Sequence, residues 1–456
     1  MKNILAVMVL IAAIQVKAQN PIIQTWCTPD PAPMVHNGTV YLYTGHDEDG
    51  PNSFFNMLEW RCYSSTDMVN WTDYGSPLAL ETFKWAKDRA WASQCIARNG
   101  KFYWYVCCVD KGTNAMAIGV AVSKNPTGPF VDAIGKPLVT GDWAYIDPTV
   151  FIDDDEQAYL FFGNPTVFCV NLNKDMISYT GDVQEIEMTE ESFGSPSMKK
   201  REKGVKYKDV YVEGPWFYKR NNKYYLLYAA GGIPEHISYS MSDHPTGPWK
   251  YMGVIMPLQD THSFTNHCGV IDFKGKSYFF YHTGMLPGGG GFNRSSAIEE
   301  FTYNADGTFP TIKMTTEGVK PVGTLNPYRR TEAETMAFSK GVKTEQNDKT
   351  GVYVSDINEG DYIKVQAVDF GTISPKTVKA TVASALRGGQ IELHADAIDG
   401  PLLATINVPH TGGWEVWKTF QTKLLTDITG THDIYFVFKG WKGIKLFNFD
   451  YWSFHK

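Results

Sequence analysis

A single phrase recurs five times along the chain. It reads TPDPAPMVHNGTVYLYTG at 28–45, WASQCIARNGKFYWYVC at 91–107, YIDPTVFIDDDEQAYLFFG at 145–163, YVEGPWFYKRNNKYYLLYAAGG at 211–232 and TNHCGVIDFKGKSYFFYHTG at 265–284. Each copy opens on a polar or special residue, runs through a short apolar stretch, turns at Asn, Asp, Gly or Lys, and ends in an aromatic strand. That is the pattern of a β-hairpin, with alternating apolar residues on either side of a tight polar turn. A second phrase follows most copies, as in YSSTDMVNWTDYG, AVSKNPTGPFVDAIG and YSMSDHPTGPWKYMG, with SAIEEFTYNADGTFP a looser version. It reads as an outer strand pair. Units of about fifty to sixty-five residues that cannot bury both faces alone stack radially, so the expected fold is an all-β, five-bladed β-propeller. A β-sandwich could use such hairpins, but it would not need one phrase repeated five times.

Radial stacking gives the opening residue of every copy the same address. The first strand of each propeller blade lines the central channel, so equivalent positions converge on the axis. That position holds Asp30, Ser93, Asp147, Glu213 and His267. Asp-Pro and Glu-Gly-Pro are also ordinary turn starters, yet turns alone do not require three acids at one register of a channel wall. Acids crowded into an enclosed space repel one another and resist losing solvent, so their pKa values spread. Glycoside hydrolysis uses such a spread: one carboxyl donates a proton to the leaving oxygen while another activates water. Glu213, with Val212 and Trp216 nearby in sequence, is expected to have the raised pKa and to act as the acid. Asp30 and Asp147, each followed by proline, supply a base and a residue that tunes the acid, in an order the repeat leaves open. His267 is a candidate metal ligand or hydrogen-bond partner, and Arg294, in GGGGFNRSSAIEEF, can reach the pocket to hold a carboxylate. The glycine run 288–291 lacks the strand-then-helix setting of a phosphate cradle and reads as a tight loop at the pocket rim.

The ends and the composition narrow the setting. The start, MKNILAVMVLIAAIQVKAQN, carries an early lysine, a short apolar run and Val16-Lys17-Ala18. This predicts a secretory signal over 1–18 and export to the periplasm or beyond; the run is too short for a membrane helix. The net charge of −7 is mild and dispersed, which argues against nucleic acid as a partner. The 13 Trp and 25 Tyr exceed what most chains carry. Strands favour aromatics, and all-β proteins often turn them to flat ligands. Seven cysteines form an odd set without metal-ligand spacing and are expected as small buried residues. The repeat stops at NPYRRTEAETMAF, 326–338; beyond it GDYIKVQAVDFG, TGGWEVWKTFQTKLL and GTHDIYFVFKG predict a separate β-sandwich of jelly-roll type. The expected domains are therefore 19–326 and 327–456.

Taken in order, TPDPAP, YIDPTVF, YVEGPWFY, TNHCGVIDFKGKSYFFYHTG and GGGGFNRSSAIEEF resemble glycoside hydrolase family 43. The resemblance implies a five-bladed propeller enzyme, inverting and mostly exo-acting on arabinose- and xylose-containing glycans. It makes Asp30 the general base, Asp147 the pKa modulator, Glu213 the general acid, His267 the central residue that often binds calcium or water, and Arg294 the active-site arginine. Trp91, in AWASQC where many members have Trp-Ala-Pro, keeps a stacking wall for the sugar. The tail, through EAE at 332–334, GDYI, TGGWEVW and FNFDYW, resembles a family 6 carbohydrate-binding module. By that resemblance Glu332, Glu334 and Asp450 hold a structural calcium, and Trp414 and Asn448 stack on and hydrogen-bond a sugar, although Asp356 stands where an aromatic often completes that site. No organic cofactor is implied. The favoured expectation is an exported α-L-arabinofuranosidase acting on plant polysaccharide. A β-xylosidase or an endo-arabinanase on the same fold, or a non-catalytic glycan-binding protein, are the alternatives. An inverting pair further requires the acid and base carboxyls to stand about 6.5–9.5 Å apart.

Overall fold

Five antiparallel sheets follow one another, each opening on a predicted hairpin. The hairpin strands are Ala32–His36 with Thr39–Gly45, Ser93–Arg98 with Lys101–Val109, Thr149–Ile152 with Ala158–Phe162, Tyr211–Arg220 with Lys223–Ala230, and Cys268–Phe273 with Lys276–Thr283. Their turns explain the recurring Asn-Gly. In the first blade Asn37 and Gly38 both adopt positive φ, 48° and 74°, and Asn99 and Gly100 of the second repeat this at 52° and 71°. Two positive φ values in a two-residue loop make the turn whose twist matches that of paired strands. This computed structural model describes residues 19–197, 199–200, 206–207 and 209–456; the predicted signal segment lies outside them.

The first strands close into a ring. Ala32–His36 packs beside both Ser93–Arg98 and Cys268–Phe273, and Thr149–Ile152 and Tyr211–Arg220 complete the circuit. Side chains tie neighbouring blades near the axis. Gln94 Oε1 accepts from Thr149 Oγ1 at 2.6 Å and from the Val150 amide at 2.8 Å, while Thr149 Oγ1 accepts from the Phe217 amide at 3.1 Å. Between blades the aromatic strands interlock, as where Tyr43 meets Trp104 edge-on at 4.7 Å with both rings fully buried. Burying each such side chain contributes roughly 1.5–3 kcal/mol.

The fifth blade departs from expectation. Its looser outer phrase forms one strand, Ser295–Phe301, rather than two, so this sheet has three strands. Residues 20–22 lie along its free side instead. The Ile22 amide donates to Ser296 O at 2.8 Å, and the Asn20 side chain bonds both the carbonyl and the amide of Ile298 at 3.0 Å.

The tail folds as two facing antiparallel sheets around a separate core that includes Phe436, Phe438, Phe449 and Trp452. Its division from the propeller is less clean than the sequence suggests. Thr335–Met336 pairs with Trp71–Asp73, the outer strand of the first blade, so one sheet spans both domains. Asn70 and Gln366 exchange two hydrogen bonds across the same junction, at 2.9 and 2.8 Å. All seven cysteines carry free thiols, and six of them are buried. Among the described residues no helix is long and apolar enough to cross a membrane.

Candidate active site

His267 gathers the three acids. Its Nδ1 lies 3.3 Å from Asp30 Oδ1, and its Nε2 lies 3.4 Å from Glu213 Oε1 and 3.7 Å from Asp147 Oδ2. The ring can stand there because residue 214 is glycine: at φ 61° a Cβ would meet His267 at 2.8 Å. Burial alone would lower the pKa of this imidazole, but the surrounding Asp30, Asp147 and Glu213 carboxylates lift it to about 10. The same carboxylates favour the protonated ring, whose Nε2 can donate to Glu213 Oε1. Four of the five residues at the shared register, Asp30, Ser93, Asp147 and His267, line one small axial cavity of about 20 Å³, room for one water.

Asp30 is fixed at both its ends. It adopts φ 55°, and Asp147 adopts φ 58°, although each has a Cβ and precedes a proline. Such conformations cost about 1–3 kcal/mol each and persist only where the surroundings impose them. The Asp30 amide donates to His282 Nδ1 at 3.2 Å, and His282 Nε2 lies 2.9 Å from Thr265 O. A ring that accepts at one nitrogen and donates at the other is the neutral tautomer, and burial of His282 lowers its pKa accordingly. At the other end Arg294 Nη1 donates to Asp30 Oδ1 at 3.2 Å. Arg294 is itself clamped by Asp47, which accepts from its Nε at 3.0 Å, its Nη2 at 2.8 Å and its amide at 2.7 Å. Burial pushes the Asp30 carboxyl up, but Arg294 and then His267 hold it well below the usual carboxylate range.

Asp147 and Glu213 behave as a pair, with His267 bringing one oxygen of each within 4.8 Å of the other. Burial drives the Asp147 pKa to about 7; His267 opposes this, while the Glu213 and Asp30 charges add to it. Glu213 goes the other way. Burial raises it, but His267 and then Asn164, whose Nδ2 donates to Oε2 at 2.6 Å, bring it below its ordinary value. The expected apolar setting for Glu213 is therefore corrected: its neighbours favour the anion, while burial favours the protonated form of Asp147. A titration of this kind belongs to the pair rather than to either residue. Glu235, unremarked in the sequence, is a further buried acid nearby; it accepts from the Asn266 amide at 2.9 Å.

The acids open into a cavity of about 190 Å³, the scale of one sugar ring rather than a chain, walled by Phe54, Phe55, Trp91, Asn164 and Arg294. Trp91 is partly exposed there, with its indole N–H on Phe55 O at 3.3 Å. Arg89, at φ 64°, places its guanidinium within 5.0–5.3 Å of the Phe54, Trp91 and Trp143 rings. The glycine run folds back on Gly284 as a tight rim loop; a Cβ on Gly284 would lie 2.8 Å from Gly290 backbone.

Residues 18–309 match Glycosyl hydrolases family 43, and residues 332–456 match Carbohydrate binding module family 6. The chain belongs to glycosyl hydrolase family 43. It is 34% identical to an arabinoxylan arabinofuranohydrolase of Bacillus subtilis (strain 168), over 95% of this chain and 92% of that one. A crystal structure of a family 43 arabinoxylan arabinofuranohydrolase from Bacillus subtilis, in complex with cellotetraose, superposes with a TM-score of 0.83 at 32% identity, covering 96% of this chain and 98% of that one. A family 43 β-xylosidase/α-arabinofuranosidase from a compost microbial metagenome, a calcium-free form with xylotriose, matches 64% of this chain and 96% of its own at TM-score 0.56 and 31% identity.

Asp147, Glu213 and His267 form a set that could hold a metal ion. Two carboxylates and an imidazole are fewer oxygens than calcium's usual six to eight, so water would complete the sphere. In the sandwich the expected calcium ligands do not converge. Glu332 and Asp450 both turn to Arg330, whose Nε donates to Glu332 Oε1 at 2.8 Å and whose Nη2 donates to Asp450 Oδ1 at 3.3 Å. Glu334 is buried at the propeller junction beside Trp71 and Asp73, where burial raises its pKa well above normal. Arg330 offsets only part of the charge of these three carboxylates, but among the described residues their oxygens are not gathered within ligand reach of one another as a calcium cage requires. The expected sugar pair is also corrected. Asn448 is 1% exposed and donates from Nδ2 to Trp414 O at 2.8 Å, while Lys445 covers the Trp414 ring at 5.1 Å. A register shift at Thr381–Val382 against the strand Asn448–His455 alters which way its first residues face.

Proposed function

We propose that this family 43 enzyme is an inverting α-L-arabinofuranosidase that removes single arabinofuranosyl branches from a plant polysaccharide such as arabinoxylan. The observation that carries this reading is the convergence of Asp30, Asp147 and Glu213 on His267 at a pocket the size of one sugar ring. The near full-length likeness to an arabinoxylan arabinofuranohydrolase, sandwich included, supports the substrate class.

In this mechanism Asp30, kept ionised by Arg294, takes a proton from water as that water attacks the anomeric carbon. Glu213 delivers the proton held by the Asp147–Glu213 pair to the departing oxygen, and the anomeric configuration inverts. Asp147 keeps that proton available near neutral pH and orients the acid. The His267 ring standing between Asp30 and Glu213 supports a separation in the range of inverting pairs, about 6.5–9.5 Å. Trp91 offers a stacking wall, and Arg294 orients the base rather than the sugar. A calcium at the axis would supply positive charge in place of the His267 proton. Export through residues 1–18 belongs to the same reading.

A β-xylosidase is the second reading, favoured by the likeness of the propeller to a β-xylosidase/α-arabinofuranosidase. Release of p-nitrophenol from the α-L-arabinofuranoside and not from the β-D-xyloside, lost in Asp30→Ala, supports the first reading. The opposite preference overturns it. Proton NMR of the first sugar released reads the stereochemistry directly.

A further inference from the structure

A second, larger concavity lies between the propeller and the sandwich, with a volume of about 900 Å³. Two loops wall both it and the catalytic pocket. After the first hairpin, Phe54, Phe55 and Met57 face the pocket while Asp49–Asn52 face the cleft. After the fifth, Arg294 faces the pocket while Pro287 and Asn293 face the cleft. The loops are joined where Asn293 Nδ2 donates to Glu48 O at 3.2 Å, and on the pocket side Phe292 packs against Phe55 at 4.9 Å. A chain with one branch in the pocket has only this shared wall to cross to lie in the cleft.

The opposite wall comes from the sandwich. Phe338 and Tyr362 stack with centroids 6.2 Å apart, and both rings are partly exposed. Asp49 and Asp356 are balanced by Lys340 and Lys343, so the cleft carries no net charge to select a polyanion. Lys343 and Asp49 pair at 2.8 Å between the domains. Ring faces among neutral hydrogen-bonding groups suit an uncharged sugar chain. Asp356, which displaces the expected aromatic of the sandwich's own sugar site, also lines this cleft, whereas Trp414 and Asn448 do not.

We propose that the interdomain cleft binds the backbone of a neutral polysaccharide, the chain from which the sugar cleaved in the pocket branches. The sandwich then serves catalysis by framing this cleft, not through the loop-end site its resemblance suggests. The proposal rests on the arabinofuranosidase reading for its choice of substrate.

The test uses the full chain carrying Phe338→Leu together with Tyr362→Leu, which keeps apolar volume and removes the ring faces. On arabinoxylan, kcat/KM should fall about tenfold, carried by KM, while kcat/KM on p-nitrophenyl α-L-arabinofuranoside stays within twofold and the melting temperature is retained. Equal losses on both substrates, or an unchanged rate on the polymer, overturn the proposal. A binding arm separates it from the function itself. The Glu213→Ala protein, titrated with unbranched β-1,4-xylohexaose, should bind it and lose that binding when the two leucines are added. Xylohexaose binding that ignores the leucine substitutions, or no binding at all, overturns the cleft even where hydrolysis is as expected. If wild type cleaves neither substrate, the functional reading fails and the xylohexaose titration alone decides the cleft.

Discussion

Replacing His282 by leucine should lower kcat on an aryl arabinofuranoside about a hundredfold and leave KM near its starting value. The magnitude follows from what this buried ring holds. It is the acceptor for the Asp30 amide at 3.2 Å, and Asp30 stands at φ 55°. Leucine fills similar space but leaves the buried amide without a partner, a loss of about 1–3 kcal/mol. The left-handed conformation stores a comparable strain, roughly 1–3 kcal/mol, which its release would relieve. The backbone then gains by rotating, and rotation draws the carboxylate away from Arg294 and His267. Displacing a reacting group by about 1 Å costs on the order of a hundredfold, or about 2.7 kcal/mol in the barrier. In the proposed mechanism Asp30 activates water and does not grip the sugar ring, so KM should be spared. His282→Asn, which can present an amide oxygen where Nδ1 stood, should recover most of the rate. Steady-state kinetics on both variants, with melting temperatures to correct for folded fraction, make the measurement. A folded His282→Leu protein within threefold of wild-type kcat would refute the reasoning, as would an Asn variant as slow as the Leu variant.

Activity should fall as pH rises through about 7, where the proton of the Asp147–Glu213 pair is lost, because the acid must be protonated to donate; the acidic limb should lie far below, since Asp30 stays ionised there. A kcat/KM profile flat to pH 9 would contradict this. Asp147→Asn removes the charge that keeps the proton near neutrality, so the alkaline limb should move down by at least about one unit, read from the same profile. Gly214→Ala should abolish activity while the protein still folds, because its Cβ would meet the His267 ring at 2.8 Å; circular dichroism and rate together check it. EDTA should leave the melting temperature of the sandwich unchanged, since Arg330 occupies the place between Glu332 and Asp450. A calorimetric shift restored by calcium would show that the carboxylates rearrange around an ion.

The repeat made the axial residues legible because radial symmetry turns a period in sequence into a shared place in space. Asp30, Asp147, Glu213 and His267 could be placed together before any coordinates, and Arg294 by its nearness to the fifth hairpin. What fixes them obeys no period. Asp47 lies in a loop, His282 near the end of a second strand and Asn164 just past another, so each reaches the site only through the tertiary turn of its own blade. Direction of pKa shift was illegible for the same reason: Glu213's immediate sequence is apolar, but Asn164 and His267 arrive from other blades. In the sandwich, residue types pointed to a sugar pair, whereas strand register decides whether Asn448 faces in or out, and composition does not encode register.

The strand Thr335–Met336 has a bearing on how this protein can be divided. Cutting the chain at the apparent boundary would strip the first blade of its outermost partner and leave the amides of Trp71–Asp73 facing solvent. A bare sheet margin of that sort recruits other chains, so the isolated propeller would tend to self-associate, and exchanging the tail module for a foreign one would require carrying these two residues along with the catalytic half.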